Sequence, residues 1–164
     1  MELLLQRGAN PNVAGVQEGT TLTPLTMAIA QRHTVCVEAL LRKGAHADGQ
    51  GAEQGKPLTS AVLTGQQEVV SLLLAHGDHP DGSFRNRPLH IAIARLDYST
   101  VRLLLDAGAD AKAKDDMDRN SLYMLCLGVK CPLRESLCET SSIAKALLEA
   151  GADMNATDVI SLRL

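Results

Sequence analysis

Large rings are almost missing from this chain: tryptophan is absent, Phe84 is its only phenylalanine, and Tyr98 and Tyr123 are its only tyrosines. A core must therefore be filled by Leu, Val, Ile, Ala and Met, which pack well between short, closely spaced helices. Positive charge is not in excess either. The formal net charge is −3, which leaves no electrostatic footprint for nucleic acid or an anionic membrane surface. No apolar run approaches the ~18 residues that span a bilayer. Four cysteines (Cys36, Cys126, Cys131, Cys138) are too few for a disulfide scaffold in 164 residues. No secretory pattern stands at Met1, so a reducing, intracellular compartment, cytoplasmic or nuclear, is expected. Gly-rich phosphate loops, GxSxG and HExxH are all absent, so neither catalysis nor a cofactor is expected.

What the chain does contain is internal repetition. Leu-rich runs ending in glycine close at Gly8, Gly44, Gly77, Gly108 and Gly151. The next helical stretch opens on Leu25, Leu58, Leu89 and Leu122. From Leu25 to Gly44, Leu58 to Gly77 and Leu89 to Gly108 the offset is 19 residues each time. Each unit reads as two helices. Pro24, Pro57 and Pro88 stand where a first helical turn tolerates proline, because that N–H has no intrahelical partner. Ala28, Ala61 and Ala92 let the first helix approach its neighbour closely. Val69, Val70, Leu72, Leu73 and Leu74 mark the second helix in its clearest copy. Gly65 supplies the turn between the helices, and each closing glycine sits where a helix end needs a left-handed residue. The polar stretch of about a dozen residues after each closing glycine suits a finger-like hairpin.

The copy Pro57-Leu58-Thr59-Ser60-Ala61, Gly65, Glu68-Val69-Val70, Leu72-Leu73-Leu74, Gly77 closely resembles the ankyrin repeat. So do Arg87-Pro88-Leu89-His90-Ile91-Ala92 and Gly151-Ala152-Asp153-Met154-Asn155. The resemblance runs over nearly the whole chain and implies an all-α solenoid of stacked helix-turn-helix units with β-hairpin fingers. One domain over 1–164 is expected. It would hold a partial repeat at 1–12 and repeats at about 21–48, 54–81, 85–112 and 118–155, with a further repeat starting at 156–164. Neither end reads as a polar cap, so the chain is expected to be a monomeric segment of a longer repeat protein.

Departures from the pattern are specific. His90 alone fills the fourth position of the TPLH-type motif, with Thr26, Thr59 and Tyr123 elsewhere; the resemblance implies that His90 ties a hairpin to its helix. Arg32 stands where the helix–helix turn usually has glycine. Gly8 to Leu25 spans 17 residues against 14 for Gly44–Leu58 and Gly108–Leu122, while Gly77–Leu89 spans 12. Leu122 to Gly151 spans 29 residues instead of 19. A ten-residue insertion, roughly Val129 to Cys138, is expected between the two helices of that copy.

Few side-chain constellations suggest chemistry. Asp115, Asp116 and Asp118 read as solvated turn formers in a finger. Cys126, Cys131 and Cys138 are spaced by five and seven residues with no nearby histidine, which suits small, partly buried thiols better than zinc. His76 and His79 read as surface histidines at a helix end. No metal site is expected.

The resemblance implies a protein partner held in a concave groove of fingers and first helices. The fingers offer Lys56, then Phe84, Arg85 and Arg87, then Met117, Asp118 and Arg119; the first helices add Gln31, Thr64 and Arg95. Aromatic and Arg side chains are enriched among the residues that carry binding energy, so Phe84, Arg85 and Arg119 rank first. The resemblance also implies a different role, as substrate of an intracellular asparaginyl hydroxylase at a hairpin Asn. Asn155 and Asn12 occupy that position, with Leu147 and Leu4 eight residues earlier. Nucleotide or RNA binding, which a few ankyrin proteins perform, is disfavoured by the acidic balance and the scarcity of rings.

Overall fold

The computed structural model describes residues 7–17, 20–49, 56–82, 87–115, 117–128 and 134–153. Eight helices occur among them: α1 Pro24–Ala30, α2 Thr34–Arg42, α3 Pro57–Leu63, α4 Gln67–Ala75, α5 Pro88–Ala94, α6 Tyr98–Asp106, α7 Ser121–Gly128 and α8 Arg134–Glu149. One short hairpin precedes α1. Its strands β1 (Gly15–Gln17) and β2 (Thr20–Leu22) pair antiparallel, with Gly15 opposite Leu22. The chain, expected as one domain, divides into two compact units, Met1–His79 and Pro80–Leu164. In a repeat protein each copy touches only its neighbours, so no single central core binds the whole.

Both units obey one packing rule. In the first, α1 packs on α2 and α3 on α4, while α1 lies beside α3 and α2 beside α4. In the second, α5 pairs with α6 and α7 with α8, with α5 beside α7 and α6 beside α8. Leu25, Ile29, Leu40, Leu58 and Leu73 are fully buried in the first unit, and Ile93, Leu104, Ile143 and Leu147 in the second. Each such side chain contributes about 1.5–3 kcal/mol when buried. Ala28, Ala61 and Ala92 are buried too, which is what lets the first helices lie close.

Local chemistry starts and stops these helices. Proline opens α1, α3 and α5. Thr23 caps α1, accepting the Thr26 N–H at 3.2 Å, while Thr26 Oγ1 accepts the Thr23 N–H at 2.9 Å. Threonine therefore does at Thr26 what glutamate does in the usual reciprocal cap. Asp97 caps α6 through the Thr100 N–H at 3.0 Å, and Asn120 accepts the Tyr123 N–H at 2.7 Å. The second helices end alike: the N–H after the closing glycine reaches back to a carbonyl five residues earlier, from Ala45 to Leu40, Asp78 to Leu73, Ala109 to Leu104 and Ala152 to Leu147.

The turns between paired helices use the same bond pattern, as His33 to Ala28, Gln66 to Ala61 and Asp97 to Ala92. Gly65 is left-handed there, and so are Arg32 (φ 58°) and Leu96 (φ 56°). A non-glycine residue costs roughly 1–2 kcal/mol in that conformation. Arg32 was recognisable from the sequence; Leu96 was not.

The insertion in the last copy is not a simple loop. Residues 129–133 lie outside the described ones, whereas Arg134–Cys138 are the first residues of the 16-residue α8, against nine residues in α2, α4 and α6. Half of the insertion lengthens the second helix, because Arg134-Glu135-Ser136-Leu137-Cys138-Glu139 contains no helix breaker.

Candidate partner-binding surface

The first helices bury one side and leave an equivalent stripe open. Counting the first helical residue as one, the fourth and seventh positions are Met27 and Ala30 in α1, Ser60 and Leu63 in α3, Ile91 and Ala94 in α5, and Met124 and Leu127 in α7. Met27, Ala30, Leu63, Ala94 and Leu127 are exposed, and Ser60, Ile91 and Met124 half-buried. Leu63 keeps 53% of its surface in water and Leu127 37%. Because first helices lie side by side within each unit, these positions line one open strip in each, apolar except at Ser60. Sequence reading singled out the polar neighbours Gln31, Thr64 and Arg95 and passed over the strip. Its signal was present, since burial of Leu25, Ala28 and Ile29 on one face leaves Met27 and Ala30 facing outward.

The candidates in the last finger divide in two. Met117 is 71% exposed. Arg119 is not a free donor: its guanidinium Nε and Nη2 lie 2.6 and 2.5 Å from Asp115 Oδ2. Asp115 Oδ1 also accepts the N–H groups of Met117 and Arg119, both at 2.9 Å. Burial pushes the Asp115 carboxyl up, but the Arg119 side chain and these N–H donors outweigh it and hold the group below the usual carboxylate range. Asp115 is thus the organiser of the finger rather than a solvated turn former. Asp118 takes a left-handed turn position (φ 60°) and pairs with Lys114 Nζ at 2.9 Å. Asp116 lies outside the described residues.

Lys56 and Arg87 occupy equivalent extended positions just before Pro57 and Pro88, both half-buried, and Arg95 is exposed at the end of α5. Phe84, Arg85 and Asn155 lie outside the described residues. His90 is buried, and its Nε2–H donates to the Ala113 carbonyl at 3.1 Å, tying α5 to the next finger. Burial holds His90 below its ordinary pKa despite that bond, so the ring is a neutral strut at pH 7. Asn12 bridges fingers in the first unit: its Nδ2 donates to the Gly44 carbonyl at 3.0 Å and its Oδ1 accepts the His46 N–H at 2.8 Å. Asp81 makes the corresponding link in the second unit, accepting the Asp110 N–H at 2.8 Å.

Among the described residues no three metal-ligating side chains come together, and no helix is long and apolar enough to cross a membrane. His76 and His79 are exposed. Cys36 is half-buried and Cys126 exposed, both as free thiols; the side chains of Cys131 and Cys138 are outside the described set.

Paired short helices, left-handed closing glycines and finger-to-finger bridges coincide with a family match. The pattern of ankyrin repeats in three copies fits residues 1–82 and 56–115. The chain belongs to the ankyrin-repeat family. Its curated relatives include the E3 ubiquitin-protein ligase KEG of Arabidopsis thaliana, 34% identical over 62% of this chain and 6% of that protein. The nuclear factor NF-kappa-B p105 subunit of Gallus gallus is 26% identical over 89% of this chain and 14% of its own length. Ankyrin repeat and SOCS box protein 16 of Mus musculus is 33% identical over 81% of this chain and 37% of its own. The chain therefore spans well under half the length of each. Ankyrin repeats are in general protein–protein interaction modules.

Proposed function

We propose that this chain is the protein-binding segment of a scaffold or regulatory protein, and that it grips its partner on the strip along the first helices. The carrying observation is the exposure of Leu127 on α7 and of Met117 in the finger before it, with Ala94 exposed and Ile91 half-buried on the neighbouring α5. Apolar side chains left in water at equivalent positions of successive repeats mark a surface built to be covered. Methionine suits it, because its flexible thioether adapts to varied partners. Arg95 at the end of α5 and Arg87 at its start flank the strip, which fits a partner segment carrying apolar groups and carboxylates. Arg119, Asp118 and Asp115 serve the finger's own shape instead. Phe84, Arg85 and Lys56 remain part of the proposed surface on sequence grounds. An intracellular setting and a monomeric state belong to the same proposal.

Capture of partner proteins by the intact chain is the test, with Leu127→Glu and Met117→Glu set beside Val35→Glu on α2, where the valine is 79% exposed. Loss of a central apolar anchor is expected to weaken capture at least about tenfold, with the melting temperature unchanged. Val35→Glu is expected to leave capture as it was. Equal capture by all three variants would place the interface elsewhere.

The second reading, hydroxylation of a hairpin asparagine, gains a ranking from the bonds of Asn12. An enzyme acting there must first free the amide from Gly44 and His46, and Pro11 restricts the backbone just before it. Mass spectrometry after incubation with an asparaginyl hydroxylase is expected to show one added oxygen, about 16 Da, on Asn155 before Asn12. Modification confined to Asn12 would reverse the ranking.

A further inference from the structure

Two Asp-Gly pairs occupy the same place in successive repeats. Asp48-Gly49 follows the closing Gly44 by four residues, and Asp81-Gly82 follows Gly77 by four. Both second glycines are left-handed, Gly49 at φ 59° and Gly82 at φ 58°. The carboxylates, however, are held differently. Asp81 Oδ1 accepts the Asp110 N–H at 2.8 Å, which fixes the side chain across to the next finger. Asp48 is exposed and no hydrogen bond among the described residues restrains it. The Gly49 N–H reaches only the His46 carbonyl, at a long 3.3 Å. Glycine after the aspartate places no side chain in the way of an approach between its nitrogen and the carboxyl carbon.

We propose that Asp48 is a site of spontaneous isoaspartate formation, and that Asp81, in the same dipeptide and the same turn, is protected from it. The Gly49 amide nitrogen gives up its proton and attacks Asp48 Cγ. A C–N bond forms, one carboxyl C–O bond breaks, and that oxygen leaves as water, giving a succinimide. Water then adds back: opening at the α-carbonyl yields isoaspartate, and opening at the former side-chain carbonyl regenerates aspartate. No oxidant or cofactor enters. The reaction needs a carboxyl group free to swing onto the nitrogen that follows it. No hydrogen bond among the described residues takes that freedom from Asp48, whereas Asp81 must first release Asp110.

The intact chain, aged at neutral pH and body temperature, provides the test. Isoaspartate is read by peptide mapping in heavy-oxygen water, and by methyl transfer from labelled S-adenosylmethionine with an isoaspartyl carboxyl methyltransferase. In the folded chain Asp48 is expected to accumulate isoaspartate roughly tenfold faster than Asp81, the factor that one hydrogen bond to a charged group supplies. In urea the two rates are expected to converge, and Asp48→Glu is expected to remove the signal at that position only. Equal rates in the folded chain overturn the proposal. So does a folded chain that forms isoaspartate at neither position while the unfolded chain forms it at both.

Discussion

Replacing Asp78 by alanine is expected to stabilise the chain by about 1–2 kcal/mol at about pH 7.5, and to make little difference at about pH 4. The residue after the closing glycine is Ala9, Ala45, Ala109 or Ala152 in the other copies, and only here a carboxylic acid. The position lies against the end of the second helix, where Ala45 and Ala109 are buried. Asp78 Oδ2 is buried there without a hydrogen-bond partner. Burial therefore drives the carboxyl pKa up to about 6 from 3.8, even though the His79 N–H and the nearby Lys56 pull it down; Asp48 adds to the rise. A carboxyl whose pKa is higher folded than unfolded binds more protons in the native state between those values. Stability is then greatest in acid and falls as pH climbs from about 4 through about 6. The full rise corresponds to at most ~3 kcal/mol, and partial contact with water reduces it to the figure above. In a chain of this size the gain appears as roughly 3–6 °C in melting temperature. Asp78→Asn is expected to share it at neutral pH. An alanine variant that melts lower than the parent at neutral pH would show that the carboxylate earns its place through the His79 N–H.

Most of the scaffold was legible because backbone geometry demanded particular residue types. A left-handed helix end selects glycine, a first turn tolerates proline, and close helix packing selects alanine, so Gly44, Pro57 and Ala61 announce their roles. Leu96 adopts the same left-handed turn as Gly65 with nothing in its side chain to signal it. The backbone bonds of the turn, from Asp97 to Ala92 and from Leu96 to Ile93, are made there as they are at Gly65. Asp78 was legible in principle, as the odd residue in a column of alanines, but its burial is a property of packing that a single copy does not reveal.

The candidate surface was read less well, for a related reason. Charged and aromatic residues draw attention as binding groups, yet a charge in a short finger often finds a partner within the same finger. Arg119 and Asp115, four residues apart across a tight turn, do so, and Asp118 with Lys114 likewise. The exposed apolar strip carries no unusual residue type, since Leu63 and Leu127 look like core leucines until the helical phase is fixed. Once Leu58 and Val62 are known to be inside, Leu63 is obliged to face out.

Valine at Gly77 is expected to cost about 2 kcal/mol, or roughly 4–8 °C in melting temperature, although it meets no steric obstacle. A Cβ placed at Gly77 has no atom within 4 Å, so crowding contributes nothing. The cost lies wholly in the backbone. Gly77 sits at φ 89°, beyond the small left-handed basin open to ordinary residues, and a β-branched side chain is excluded there most strongly. The conformation cannot relax cheaply, because it aims the Asp78 N–H at the Leu73 carbonyl near the end of α4, at 3.1 Å. A valine that returned to negative φ would break that bond and leave the Leu73 carbonyl at the end of α4 without it. Gly15 supplies the control within the same chain. It too has open space for a Cβ, but it lies in β1 with no left-handed φ, so Gly15→Val is expected to leave stability unchanged or slightly raised. Gly77→Asn is expected to fall between the two, since asparagine tolerates the left-handed region better than valine does. Urea unfolding of the three variants beside the parent decides the matter. If Gly77→Val and Gly15→Val unfold at the same denaturant concentration, left-handed geometry is not what ends the second helix of the repeat.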